Sequence, residues 1–69
     1  MKVKVNQIIQ NDVNLEPGNV VNVGWKPLNY VRKTLTVRKI VEDRSGIRVI
    51  FNDHTWRPVT TYNMTWWKV

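Results

Sequence analysis

Polar and apolar residues alternate with a period of two along most of this chain. Val21, Val23 and Trp25 share one side of a run whose other side carries Asn22 and Gly24. Further on, Leu35 and Val37 oppose Arg32, Thr34, Thr36 and Arg38, while Ile47, Val49 and Phe51 oppose Arg48. Successive side chains of a strand point to opposite faces, so each run predicts a half-buried strand with its apolar set inward. Lys2-Val3-Lys4-Val5 predicts a further short one. Val, Ile, Thr and Trp dominate these runs, as a pleated surface favours. No window long enough for an amphipathic helix repeats at 3.6 residues. By phase, Trp25, Phe51 and one of Trp66 and Trp67 belong to the core. The other member of that adjacent Trp pair is expected on the outer face, partly exposed.

Turn residues fall between the runs. Glu16-Pro17-Gly18-Asn19 suits a type II turn, with Pro second and Gly third. Lys26-Pro27-Leu28-Asn29 ends the second run, and Glu42-Asp43-Arg44-Ser45-Gly46 is a hairpin loop in which Gly46 can take positive φ. Asn52-Asp53-His54-Thr55 is the next tight turn. Pro58 has no amide to give to a ladder, so its strand is short or at an edge. Thr60 to Met64 predicts one 3₁₀ turn before a last strand over Thr65–Val69. Roughly five or six short strands so spaced predict a single all-β domain over residues 1–69, a small closed or nearly closed barrel.

Composition narrows what such a domain does. A chain of 69 residues hides only about 60% of its extended surface on folding, so large side chains must supply the core. Four Trp, two Tyr and one Phe meet that need. The absence of cysteine excludes a disulfide framework and a thiolate metal site. One His and three Asp are too few for a histidine-based metal site or a catalytic triad. Gly18, Gly24 and Gly46 are too scattered for a phosphate-cradling loop. The expectation is a protein that is not an enzyme and holds no cofactor. No run approaches the roughly 20 apolar residues that span a bilayer, and Met1 leads into no apolar stretch of signal-peptide length. The expected address is the cytoplasm. Eleven Lys and Arg against five Asp and Glu give a net charge of +6 and a pI near 10.2. That excess points to polyanionic partners, with nucleic acid first and an anionic membrane surface or acidic protein second.

Three stretches carry a resemblance. Leu15–Trp25 is a Pro-Gly turn opening onto a strand that ends in an aromatic. Leu35–Asp53 is a long hairpin whose second strand ends in an acidic turn. Trp56–Met64 contains Val59 and Met64 at a spacing of five before the last strand. This order resembles the SH3-like barrels of the Tudor and KOW type. His54 stands in the acidic turn where those families usually have Gly. The resemblance implies a five- to six-stranded barrel with one short 3₁₀ turn before the last strand. It also implies an alternative function, a protein-interaction module whose aromatic cage for methylated Lys or Arg would be built from Trp25, Tyr30 and Trp56.

Arg32, Lys33, Arg38, Lys39, Arg44 and Arg48 lie within one predicted hairpin, with only Glu42 and Asp43 as nearby acids. Arg32 and Arg38 share a strand face in this reading, and Arg48 takes the outward face of the next strand. Together they predict a positive stripe, since the planar guanidinium fork matches phosphate; the competing use is a solvated face that keeps a β-protein soluble. Tyr30 shares the Arg32 phase. Trp56 precedes Arg57 at the start of a hairpin arm, where its ring is a lid on the core, a partner for a neighbouring Arg or a platform for bases. His54 reads as an exposed turn residue and Asp53 as a turn former. The first expectation is therefore a small basic binder of DNA or RNA, of a profile common among phage and mobile-element products. The rivals are the cage module and a regulator that docks on an acidic surface of a larger enzyme.

Overall fold

The computed structural model describes residues 1–7 and 10–69. Seven strands are present among them: β1 (Val3–Asn6), β2 (Asp12–Leu15), β3 (Val20–Trp25), β4 (Tyr30–Asp43), β5 (Gly46–Phe51), β6 (Trp56–Pro58) and β7 (Trp66–Lys68). Two 3₁₀ turns, Lys26–Leu28 and Val59–Thr61, join β3 to β4 and lead from β6 towards β7. The all-β class is as expected. The strand count is higher, because the short alternating stretch Asp12–Leu15, not assigned above, pairs with β1. The first 3₁₀ turn, Lys26–Leu28, replaces a plain turn; Pro27 presets its backbone and Asn29 closes it in the left-handed region at φ 54°.

β3 to β6 form an antiparallel meander, and β7 returns to pair with β3, giving the order β6-β5-β4-β3-β7. β1 and β2 form a separate two-stranded ribbon. No ladder joins β6 to β7, so of the closed or nearly closed barrel expected the sheet takes the unclosed form. Pro58 accounts for one free edge, since it ends a three-residue strand that pairs only with β5. β4 is long because it serves two partners: Tyr30–Thr36 pairs with β3, and Val37–Asp43 pairs with β5.

The alternating runs place their apolar sets in the core. Val21, Val23, Leu35, Val37, Val49 and Phe51 are all buried. Trp66 is its largest member, with Phe51 and Tyr62 set edge-on to it at 5.7 and 4.8 Å between ring centroids. Such pairs add about 0.5–1.5 kcal/mol beyond their buried area. The buried indole N–H donates to Thr61 Oγ1 at 3.1 Å, and the Lys68 amide donates to Tyr62 Oη at 2.9 Å. Both of these polar groups are thus paired within the core.

Two aromatic assignments are corrected. Trp66 and Trp67 are both buried, at 0% and 5% exposure, although they point to opposite faces of β7. The Lys26 ammonium lies 5.6 Å from the Trp67 ring. Trp25 keeps the phase of Val21 and Val23 but is 40% exposed. It is the last residue of β3, opposite Tyr30, beyond the edge of the packed region. Phase decides which face a residue joins; the length of the core decides whether that face is covered.

Candidate nucleic-acid interface

Both arginines expected to share a face of β4 sit at β-bulges. Val23 pairs with Lys33 but Gly24 pairs with Val31, which leaves Arg32 unmatched against β3. Val37 pairs with Phe51 but Lys39 pairs with Ile50, which leaves Arg38 unmatched against β5. A bulge inserts one residue, bends the strand and re-aims the side chain. Simple alternation therefore does not relate Arg32 to Arg38, nor Tyr30 to Arg32. Tyr30 instead faces Trp25 directly across the β3–β4 hairpin. The first bulge depends on Gly24, where a Cβ would lie 2.0 Å from the Tyr30 carbonyl oxygen.

The candidate residues divide into two groups. Lys39, Ile50 and Trp56 are consecutive cross-strand partners through β4, β5 and β6 and so share one face. Arg48 belongs to that outward face too, through its pairing with Val41 and Pro58. Its guanidinium carbon stands 5.3 Å from the Trp56 ring centroid, and its Nη2 donates to Asp43 Oδ2. Trp56 is 52% exposed, hence no lid on the core. It holds a cation on one side and faces solvent elsewhere. At the far end of β4, the exposed Trp25 and Tyr30 are cross-strand partners, and Arg32 follows Tyr30 two residues along the strand.

The remaining candidates are distributed around these groups. Lys33 pairs with Asp53 at 3.4 Å, and both are largely exposed. Hydrogen bonds from the Thr55 hydroxyl and amide, helped by Lys33, hold the Asp53 carboxyl below the usual carboxylate range. Asp53 is the turn former expected of it, and His54 beside it takes φ 70°, the left-handed region that favours glycine. Arg38 Nη1 lies 3.4 Å from His54 Nδ1. Arg44 is exposed at the tip of the β4–β5 hairpin. Arg57 opposes Val49 across β5–β6, so it lies on the core side, half-buried. Arg57 is thus apart from the outward face, because cross-strand partners share a face and Val49 points in.

Arg32, Arg38 and Lys39 are exposed and form no ion pair among the described residues, where Lys33–Asp53 and Arg48–Asp43 are the pairs present. From Pro17 to Val41 the chain carries Lys26, Arg32, Lys33, Arg38 and Lys39 and no carboxylate. That acid-free interval is a signal legible in the sequence that a count of net charge misses. Of the three rings of the alternative cage, Trp25 and Tyr30 are cross-strand partners, while Trp56 lies on β6, three strands from β3 in the sheet order. Among the described residues the aromatic ring pairs are those of Trp66 with Phe51 and Tyr62. No pocket and no cluster of three metal-ligating side chains occur among the described residues, and no helix there is long and apolar enough to cross a membrane. Comparison with protein-family models, curated proteins and solved structures finds no match for this chain.

Proposed function

We propose that this chain is a non-catalytic module that binds nucleic acid, with phosphate contacts from Arg32, Arg38 and Lys39. The observation that carries this reading is the pair of bulges on β4. Each leaves an arginine out of the ladder, and among the described residues no carboxylate pairs with either one. Exposed cations with no carboxylate partner keep their field for a polyanion. Lys39 adds its charge on the face where Arg48 and Trp56 are stacked, which offers a nucleic acid both phosphate and base contacts. A meander whose last strand returns to the first, after a 3₁₀ turn, supports the likeness to Tudor and KOW barrels.

The test is binding of labelled DNA and RNA oligonucleotides, single- and double-stranded, across a salt series. Each phosphate contact contributes about 0.7–0.9 to the log–log slope, so Arg32→Ala, Arg38→Ala and Lys39→Ala combined should flatten it by about 2–3 units. Arg48 is left in place because its removal would unpair Asp43. An unchanged slope in the triple variant sinks the β4 cations as the contact. Failure of every oligonucleotide to bind at low salt overturns the nucleic-acid reading and leaves an acidic protein surface as the partner to test.

A further inference from the structure

We infer that Trp25 and Tyr30 form a base-stacking platform, which makes single-stranded nucleic acid the ligand class of this protein. The inference rests on the nucleic-acid reading above and adds the strandedness and the site. Trp25 and Tyr30 are direct cross-strand partners at the turn end of the β3–β4 hairpin, 40% and 55% exposed. Directly opposed side chains in an antiparallel pair have Cβ atoms about 4.5–5.5 Å apart. Neither ring is paired with another aromatic or covered by a cation among the described residues. Trp56 differs, since Arg48 already occupies a face of it.

The platform is held rigid from behind. The Gly24 amide donates to the Thr65 carbonyl and the Lys26 amide to the Met64 carbonyl, both at 2.9 Å. Asn29 closes the turn with its amide on the Lys26 carbonyl at 2.8 Å. The missing Cβ of Gly24 lets the Tyr30 carbonyl approach, which fixes the register that sets Trp25 opposite Tyr30. A preformed platform loses little freedom on binding. Its neighbour in the chain is the bulged Arg32, exposed and without a carboxylate partner among the described residues. Charge complementarity thus selects a ligand with π faces and a phosphate backbone. In a duplex the bases are stacked on each other and leave no face free, whereas a single strand offers them.

The experiment measures fluorescence anisotropy of a labelled single-stranded oligonucleotide and of the duplex of the same sequence, with melting of every variant followed in parallel. Trp25→Ala and Tyr30→Ala should each weaken single-strand binding by about 5- to 100-fold, with duplex binding and the salt slope unchanged. Leu28→Ala removes the most exposed apolar side chain of the same tip (77% exposed) and should leave single-strand binding as it is. Equal binding of single strand and duplex by the unaltered protein, with Trp25→Ala silent, overturns the platform while the phosphate contacts stand. A loss in Leu28→Ala as large as in Trp25→Ala also overturns it and makes the tip a general apolar contact. Binding to vesicles of anionic lipid that is lost in Trp25→Ala, without oligonucleotide binding, overturns both readings in favour of a membrane surface. No binding of either oligonucleotide removes the proposed function itself and the platform with it.

Discussion

Gly24→Ala is expected to be the most damaging conservative change in this chain, and its sign runs against general rules. On chain entropy alone, replacing a strand glycine by alanine stabilises by about 0.4–1 kcal/mol. Here the added methyl carbon would lie 2.0 Å from the Tyr30 carbonyl oxygen, 2.9 Å from its carbon and 3.0 Å from the Arg32 nitrogen. All three neighbours are backbone, so no side chain can swing away. Relief requires β3 and β4 to part by about 1 Å or more, since non-bonded contacts settle at roughly 3.5–4.0 Å. Overpacking of this kind costs about 1–3 kcal/mol. Straining the Gly24–Thr65 bond and its neighbour adds about 1 kcal/mol for each hydrogen bond lost. A net loss of about 3 kcal/mol compares with a total stability of about 3–10 kcal/mol for a domain this small. Thermal melting followed by near-ultraviolet circular dichroism should fall by about 12 °C or more. Gly18→Ala and Gly46→Ala serve as controls: both glycines have positive φ but open space around the missing Cβ, so each should cost about 1–2 kcal/mol. A Gly24→Ala protein that melts within a few degrees of the parent would refute the close approach and the bulge built on it.

Other perturbations probe different parts of the structure. Val37→Asp should abolish the cooperative melt, because Val37 is 1% exposed and an unpaired charge at the centre of so small a core exceeds the available stability; a native-like spectrum would contradict the core described above. Asp53 has a folded pKa below its ordinary value of 3.8. Its contribution is therefore fully present above that value and lost as pH falls through the lower folded one. Asp53→Asn should shrink the acid limb of a melting-temperature-against-pH curve and leave melting at neutral pH nearly unchanged in its pH dependence; an acid limb identical to the parent's would refute the assignment. Trp56→Ala should cost less than about 1 kcal/mol by urea unfolding, since an exposed ring leaves no cavity, whereas a loss of about 3 kcal/mol or more would make it a core residue after all.

The period-two pattern was enough to place β3, β5 and the inward sets Val21/Val23, Leu35/Val37 and Val49/Phe51, because burial on one face forces alternation. Turn chemistry was equally legible. Pro17-Gly18, Gly46 and Pro58 each do locally what their backbones allow: Gly18 and Gly46 adopt φ 95° and 112°, and Pro58 ends an edge strand. One of the two bulges also left a trace, since Leu35, Val37 and Ile40 are all buried and the last spacing breaks the alternation. The charge excess and the acid-free interval around Arg32 and Arg38 are sequence properties outright.

Other features are decided by neighbours far along the chain. Trp66 and Trp67 are both buried because each face of β7 has something to pack against, which periodicity within β7 cannot report. Trp25 is exposed because β3 outruns the core, a matter of where the packed layer ends. The bulge at Arg32 has no apolar marker and arises from the meeting of Gly24 with the Tyr30 carbonyl. Sequence determined the class of structure, the inward faces and the sign of the field, since these follow from local stereochemistry and composition. Tertiary structure alone decided the open sheet, the direction of Arg32 and Arg38, and the two rings left free at the hairpin tip. Those depend on register between strands, and register is settled by side chains that meet only when the chain is folded.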